Sequence, residues 1–158
     1  MPKLINDMFN LNLPAFDVKL KKDKGTVYIW DRLRRKYIVV TPEEWVRQHF
    51  VNYLIIDRGF PAALMGNERQ VILNNQRKRC DTVIYNNTLQ PVMIVEYKSP
   101  EVKITQDVFD QIARYNIVLK VAYLVVSNGL QHYCCKMDYE TQSYKYLPEI
   151  PVYSSLNV

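Results

Sequence analysis

Three charged residues at the ends of two strand-like segments carry the most pointed chemistry in this sequence. They are Asp81 in RKRCDTVIY, and Glu96 and Lys98 in PVMIVEYKSP. The polar stretch between the segments makes them an antiparallel hairpin. With Tyr85 facing Val92, counting back sets Asp81 opposite Glu96, and residues directly opposite share a face. Two carboxylates so placed repel and weaken a sheet. A divalent cation between them removes the objection, and Mg²⁺ binds through one or two carboxylates. Lys98 stands two residues past Glu96, and strand alternation returns it to the same side. Two acids and a lysine on one face suit metal-dependent hydrolysis of a phosphodiester. The cation would supply most of the catalysis. The ammonium would orient the attacking water or neutralise charge developing at the scissile phosphate. The carbonyl of Tyr97, between Glu96 and Lys98, is a further oxygen donor of the type Mg²⁺ accepts. The basic run Arg77, Lys78, Arg79 leads straight into Asp81, where a phosphate backbone would pass.

The surrounding pattern supplies elements to hold these groups. Residues 1–15 show no period and read as an irregular arm, leaving 16–158 as a single domain. Three short extended segments follow, Phe16–Leu20, Thr26–Trp30 and Tyr37–Val40, rich in Val, Ile and aromatics. A helix opens at TPEEW. Thr41 is its N-cap, Pro42 suits the first helical position, Glu44 completes a capping box, and Val40 with Trp45 forms a staple. Its core face is Val46, Phe50, Tyr53 and Leu54, and it ends near Gly59. Strands are expected at Arg69–Leu73, Cys80–Tyr85 and Val92–Val95, the last apolar on both faces as in a covered central strand. A second helix spans about Thr105 to Leu119, with Val108, Ile112, Tyr115 and Leu119 on one face. Val121–Val126, the turn Asn128–Gly129 and Leu130–Lys136 make a hairpin, and Tyr144–Leu147 adds a last short strand. The order is extended segments, helix, meander, helix, hairpin. It predicts a mixed α/β (α+β) sheet with a helix on each face or both on one.

Composition bounds the function. The chain has 158 residues, 48% hydrophobic, enough for one cored domain. No apolar run approaches a membrane span, and the first 20 residues lack the apolar stretch of a secretion signal. Three cysteines, two of them adjacent (Cys134 and Cys135), read as reduced cytoplasmic thiols, one buried and one exposed in the adjacent pair. With two histidines and no CxxC, a zinc site is not expected. A net charge of +5 favours anionic partners. Glu68 and Asp110 read as solvated, and most of the 12 tyrosines as sheet or core residues.

The pattern D-x14-E-x-K, split across a hairpin and flanked by helices, resembles the PD-(D/E)XK nuclease superfamily. More narrowly, TPEEWVRQ, RKRCDTVIY, VMIVEYKSP, DQIARYN and VVSNG resemble the N-terminal nuclease domain of type I restriction endonuclease R subunits, over roughly residues 25–135. The resemblance implies a restriction-endonuclease-like core, αβββαβ, with extra N-terminal strands. It implies Mg²⁺-dependent DNA cleavage of restriction or repair type, with Mn²⁺ as a substitute. Asp81, Glu96 and Lys98 would be catalytic. Gln111 and Tyr115, a Q-x-x-x-Y pair on one helix face, would sit beside the metal and position the substrate. Glu44 would be the first-helix glutamate that contributes to metal or water binding, in preference to Glu43. Cys80 stands where the family carries proline. The family's helicase motor is not in these residues and no GxxxxGK[ST] is present, so the chain would be a stand-alone nuclease-like protein, a fragment, or one whose partner is separate, a helicase or a methyltransferase/specificity subunit. Cutting both strands with one site would need a homodimer or two binding events. A DNA-binding module without catalysis and a docking subunit for a motor are the competing readings.

Overall fold

The structure is a computed structural model that describes residues 10–156. The described part of the N-terminal arm is docked. Asn12 donates its N–H to the Gly129 carbonyl (2.8 Å), and Leu11 and Leu13 pack on the main core; residues 1–9 lie outside the description.

Three antiparallel strands follow: β1 (Leu20–Asp23), β2 (Thr26–Asp31) and β3 (Lys36–Val39), in that order across a small sheet. Each departs by up to four residues from its predicted bounds. Lys24 and Gly25, both at positive φ (49° and 82°), make the two-residue turn that sets the β1–β2 register. Helix α1 (Pro42–Asp57) begins where predicted, with Thr41 Oγ1 accepting the Glu44 N–H at 3.1 Å. The Glu44 carboxylate turns instead to Arg34 and Arg47. Gly59, at φ +69°, closes the helix and lets Phe60 donate back to the Leu54 carbonyl (3.0 Å).

The main sheet has six strands in sequence order: β4 (Met65–Leu73), β5 (Gln76–Tyr85), β6 (Pro91–Tyr97), β7 (Tyr123–Ser127), β8 (His132–Asp138) and β9 (Ser143–Leu147). All neighbours are antiparallel except β6 and β7. These are parallel and joined through helix α2 (Gln106–Ile117), as a βαβ crossover requires. β5 starts earlier than expected, so Arg77–Arg79 belong to the strand rather than to a turn before it.

The helices take opposite faces of this sheet. α1 buries Val46, Phe50 and Leu54 against Ile84, Met93, Val95 and Val125. α2 buries Phe109 and Ala113 against Val83, Ile94, Leu124 and Val126. β6 thus alternates between two cores, which explains its apolar run. α1 is also covered behind: Trp45 packs with Ile29 and Val40 of the small sheet region. Hence nearly every α1 side chain from Glu44 to Asn52 is buried. The α2 core face is Phe109, Ala113 and Asn116, one step around from the predicted stripe, because Tyr115 points outward and is 51% exposed. Cys134 and Cys135 face opposite sides of the sheet, so both are buried and neither is the exposed thiol expected.

Candidate active site

The β5–β6 ladder pairs Thr82 with Val95, Val83 with Ile94 and Ile84 with Met93. Carried one step further, that register sets Asp81 opposite Glu96. Tyr85 pairs with Pro91 rather than Val92, because a bulge at Ile84/Tyr85 absorbs one residue. By alternation from Val83 and Ile94, Asp81 and Glu96 both belong to the face covered by α2.

At Asp81 the backbone leaves the ladder on both sides. On the β4 side, Glu68 holds a left-handed φ of 53°, which strains a non-glycine residue by about 1 kcal/mol. The Asp81 carbonyl accepts instead from Arg47 Nη1 at 2.6 Å. On the β6 side, Asp81 Oδ2 accepts the Tyr97 N–H at 2.9 Å. The Asp81 carboxyl is therefore fixed at the strand end by backbone on one oxygen.

Asp81, Glu96, Tyr97, Lys98 and Gln111 share one cleft of about 380 Å³, bordered also by Glu43, Arg79, Ile112, Tyr115 and Asn116. Lys98 is anchored by its N–H to the Ser127 carbonyl (2.9 Å). Glu96 Oε1 is buried and has no hydrogen-bond partner. Burial, and then the Asp81 carboxylate beside it, push the Glu96 carboxyl far above the usual range; the Asp81 backbone N–H and, after it, the Arg47 guanidinium only partly offset this. Removing the repulsion requires a proton or a cation.

The other predicted residues divide. Tyr115 lies on the cleft wall, with Lys78 Nζ 4.0 Å from the centre of its ring. Arg77 is exposed near the β4–β5 turn, opposite Ile72, and does not border the cleft. Glu44 is buried and does not border it either: Arg34 Nη2 binds its Oε1 at 2.7 Å, and Arg47 Nε lies 3.4 Å from Oε2. Glu43, exposed at the start of the same helix, is the glutamate at the cleft. Pro42 starts the helix so that position 43 faces outward while 44 faces the small sheet.

Several contributors escaped the sequence reading. Arg47 is buried and bridges Glu44, Glu68 (Nη2–Oε1, 2.5 Å) and the Asp81 carbonyl, with its guanidinium 5.6 Å from the Tyr97 ring centre. Glu68 is not solvated as expected. It also takes Arg79 Nε at 2.8 Å and so positions a basic residue of the cleft. Asp110 likewise accepts from Gln106 (2.9 Å) and from the Tyr144 hydroxyl. Behind these groups, a buried chain runs from Asp31 through Asn67 and Thr82 to the Tyr97 hydroxyl, in steps of 2.9, 2.7 and 2.8 Å. Polar and charged residues inside helix α1, Arg47 and Gln48 among its apolar positions, were the signal available for a buried network.

Among the described residues no three His, Cys, Asp or Glu side chains converge as a cage for a metal ion. Two carboxylates and nearby backbone oxygen remain. That donor set fits Mg²⁺, which keeps water and substrate phosphate in its shell, better than Zn²⁺ or Ca²⁺. No helix among the described residues is long and apolar enough to cross a membrane.

Residues 42–151 match the family model described as type I restriction enzyme R protein N terminus (HSDR_N). Among solved structures, the fold is similar to a fragment assigned as an HsdR subunit of a type I restriction enzyme from Vibrio vulnificus YJ016. The TM-score is 0.50 at 19% identity, over 72% of this chain and 24% of that one. The chain thus spans about a quarter of that fragment's length. Comparison with curated proteins finds no match.

Proposed function

This chain belongs to the family of type I restriction enzyme R protein N termini, and on that premise we propose that it is a Mg²⁺-dependent nuclease domain that hydrolyses DNA phosphodiesters. The observation that carries the reading is Glu96 Oε1, buried without a partner beside the Asp81 carboxyl. A structural acid would have acquired a donor there; a ligand for a cation needs none. Asp81 and Glu96 would hold Mg²⁺, or Mn²⁺ in its place, with the Tyr97 carbonyl as a third oxygen. Bound there, the cation would supply charge neutralisation and water activation at the phosphate.

The chain's own groups account for the rest. Lys98, one residue past the end of β6 and at the same cleft as Glu96, donates to the attacking water or to a non-bridging oxygen as charge develops. Gln111 offers an uncharged amide from α2 to align the nucleophile or the phosphate. Arg79, held by Glu68, and Lys78, held over Tyr115, present fixed positive charge along the approach of the backbone. Glu43 replaces Glu44 as the helix carboxylate nearest this chemistry. Cleavage of both strands requires a second copy or a second binding event.

Plasmid cleavage by wild type and by Lys98→Ala, each with Mg²⁺ and with EDTA, tests the proposal. Cleavage by wild type alone, lost with the substitution and with EDTA, is expected. DNA retarded on a gel but never cut would instead favour a binding module with a nuclease fold.

A further inference from the structure

A second cavity, about 420 Å³, opens on the other flank of α2 and is lined in part by Gln106, Phe109, His132, Tyr133 and Tyr146. It lies at the same end of the sheet as the catalytic cleft. Lys98 bonds to Ser127, and Ser127 pairs with His132 across β7 and β8. Two inter-strand steps, roughly 10 Å, therefore separate the β6 end from the cavity wall.

Phe109, Tyr133 and Tyr146 supply the cavity's rings and Gln106 its one side-chain amide, with Ile104 and Leu147 among the aliphatic rest of the wall. Phe109 lies 5.2 Å from Tyr146 and 6.4 Å from Tyr133 between ring centres, all in tilted or edge arrangements. Tyr146 is 41% exposed, although its ring stands among these aromatics. Gln106 is held in place by Asp110 Oδ1 (2.9 Å), Tyr144 (3.0 Å) and Tyr146 (3.1 Å), so its amide is fixed. The His132 ring is not part of this wall: it turns to the α1 face, 5.5 Å from the Phe50 ring, with one nitrogen 2.7 Å from Ser127 Oγ and the other 2.8 Å from the Asn12 carbonyl. Both N–H groups of the Gln106 amide are spent on its partners, so its Oε1, 3.4 Å from the Tyr146 hydroxyl, is the polar group left for a ligand, and exposed ring area beside it is a surface for a flat, polar-edged one. The cleft next door would hold a phosphate of the chain that carries it.

We infer that this aromatic cavity receives an unpaired nucleobase of the DNA strand whose phosphate occupies the Asp81–Glu96 cleft, stacked on Tyr146. The inference rests on the nuclease reading for its choice of ligand. It adds a preference for single-stranded or frayed DNA, since a paired base has no free face to stack.

The test is binding rather than cleavage. An oligonucleotide with 2-aminopurine next to a central phosphate, the same oligonucleotide with abasic residues, and a blunt duplex are titrated in EDTA against wild type, Tyr146→Ala and Tyr146→Phe. Wild type is expected to prefer the single strand over the duplex and to quench 2-aminopurine. Tyr146→Ala should weaken single-strand binding by about 5- to 150-fold, the range for one stacked base, and lose the quench. Tyr146→Phe should retain both. The abasic strand should bind wild type and Tyr146→Ala alike. Thermal melts establish that the variants are folded. Equal single-strand affinity and equal quench in wild type and Tyr146→Ala overturn the inference. So does an abasic strand that still distinguishes them. If wild type quenches 2-aminopurine yet never cuts with Mg²⁺, the nuclease reading fails while the base pocket stands; if it cuts without any effect of Tyr146→Ala, the reverse holds.

Discussion

Replacing Glu96 by Gln should stabilise the metal-free protein while destroying its response to Mg²⁺. The folded-state carboxyl sits well above its ordinary value, through burial first and the Asp81 carboxylate second. A carboxyl with a raised folded value binds its proton more tightly in the fold. It therefore costs nothing below the ordinary glutamate value near 4.5, and costs progressively more as pH rises above it, by at most about 1.4 kcal/mol per pH unit. Gln keeps the shape and removes both the charge and the repulsion. A buried charge left without compensation costs at least as much as an unpartnered polar group, about 1–3 kcal/mol, which for a domain of this size corresponds to roughly 2–12 °C in Tm. In EDTA at pH 8, Glu96→Gln should melt higher than wild type by at least that amount, and the gap should close towards pH 4.5. With Mg²⁺, wild type should gain stability by ligand linkage and Glu96→Gln should not. A variant that melts at or below wild type in EDTA at pH 8, or that gains as much from Mg²⁺, would refute the reasoning.

Two further outcomes follow from the buried network. Asp31, fully buried, accepts from Leu33, Arg34, Gln48 and Asn67; Asp31→Asn should cost about 3–5 kcal/mol in urea unfolding. Burial alone would raise the Asp31 carboxyl, but the bonds from the Arg34 amide, Asn67 and the Arg34 guanidinium outweigh it and leave it depressed. Its contribution should be full above about pH 3.8 and vanish as pH falls through the depressed value, a limb that Asp31→Asn should lack. The adjacent glutamates should separate cleanly: Glu43→Gln should leave the urea midpoint within about 0.5 kcal/mol of wild type while slowing cleavage, whereas Glu44→Gln should cost about 1–3 kcal/mol through its lost ion pairs with Arg34 and Arg47.

The site's frame was legible where local rules operate alone. Period-2 alternation and hairpin counting brought Asp81, Glu96 and Lys98 to one side. Thr41, Pro42 and Gly59 bounded α1, and the Q-x-x-x-Y spacing put Gln111 and Tyr115 on one cleft wall. What stayed hidden depends on contacts distant in sequence. Helix α1 lies between two sheets, so its polar residues turn inward, and no amphipathic pattern announces that. Glu44 satisfies a capping-box pattern, yet Arg34, ten residues away, takes its carboxylate. The role of Arg47 depends on a left-handed Glu68 that frees the Asp81 carbonyl, and no residue type at 68 signals that conformation. The outward turn of Tyr115 follows from Asn116 filling the core position beside it.

The covering of α1 by the small sheet bears on where this unit can be cut. The family match begins at residue 42, after all three N-terminal strands. A piece trimmed to that boundary would lose Asp31, leaving the Asn67 amide without its acceptor and the Gln48 amide with only Glu44 at 3.4 Å, and would uncover Trp45 and its neighbours to water. The same chain of hydroxyls and amides continues to Tyr97, whose N–H holds the Asp81 carboxyl. Strands that look like an ornament ahead of the shared core should therefore be needed for it to fold, and a piece starting at residue 42 should melt well below the full chain. In amide exchange these strands should open together with β5 and β6 as one cooperative block.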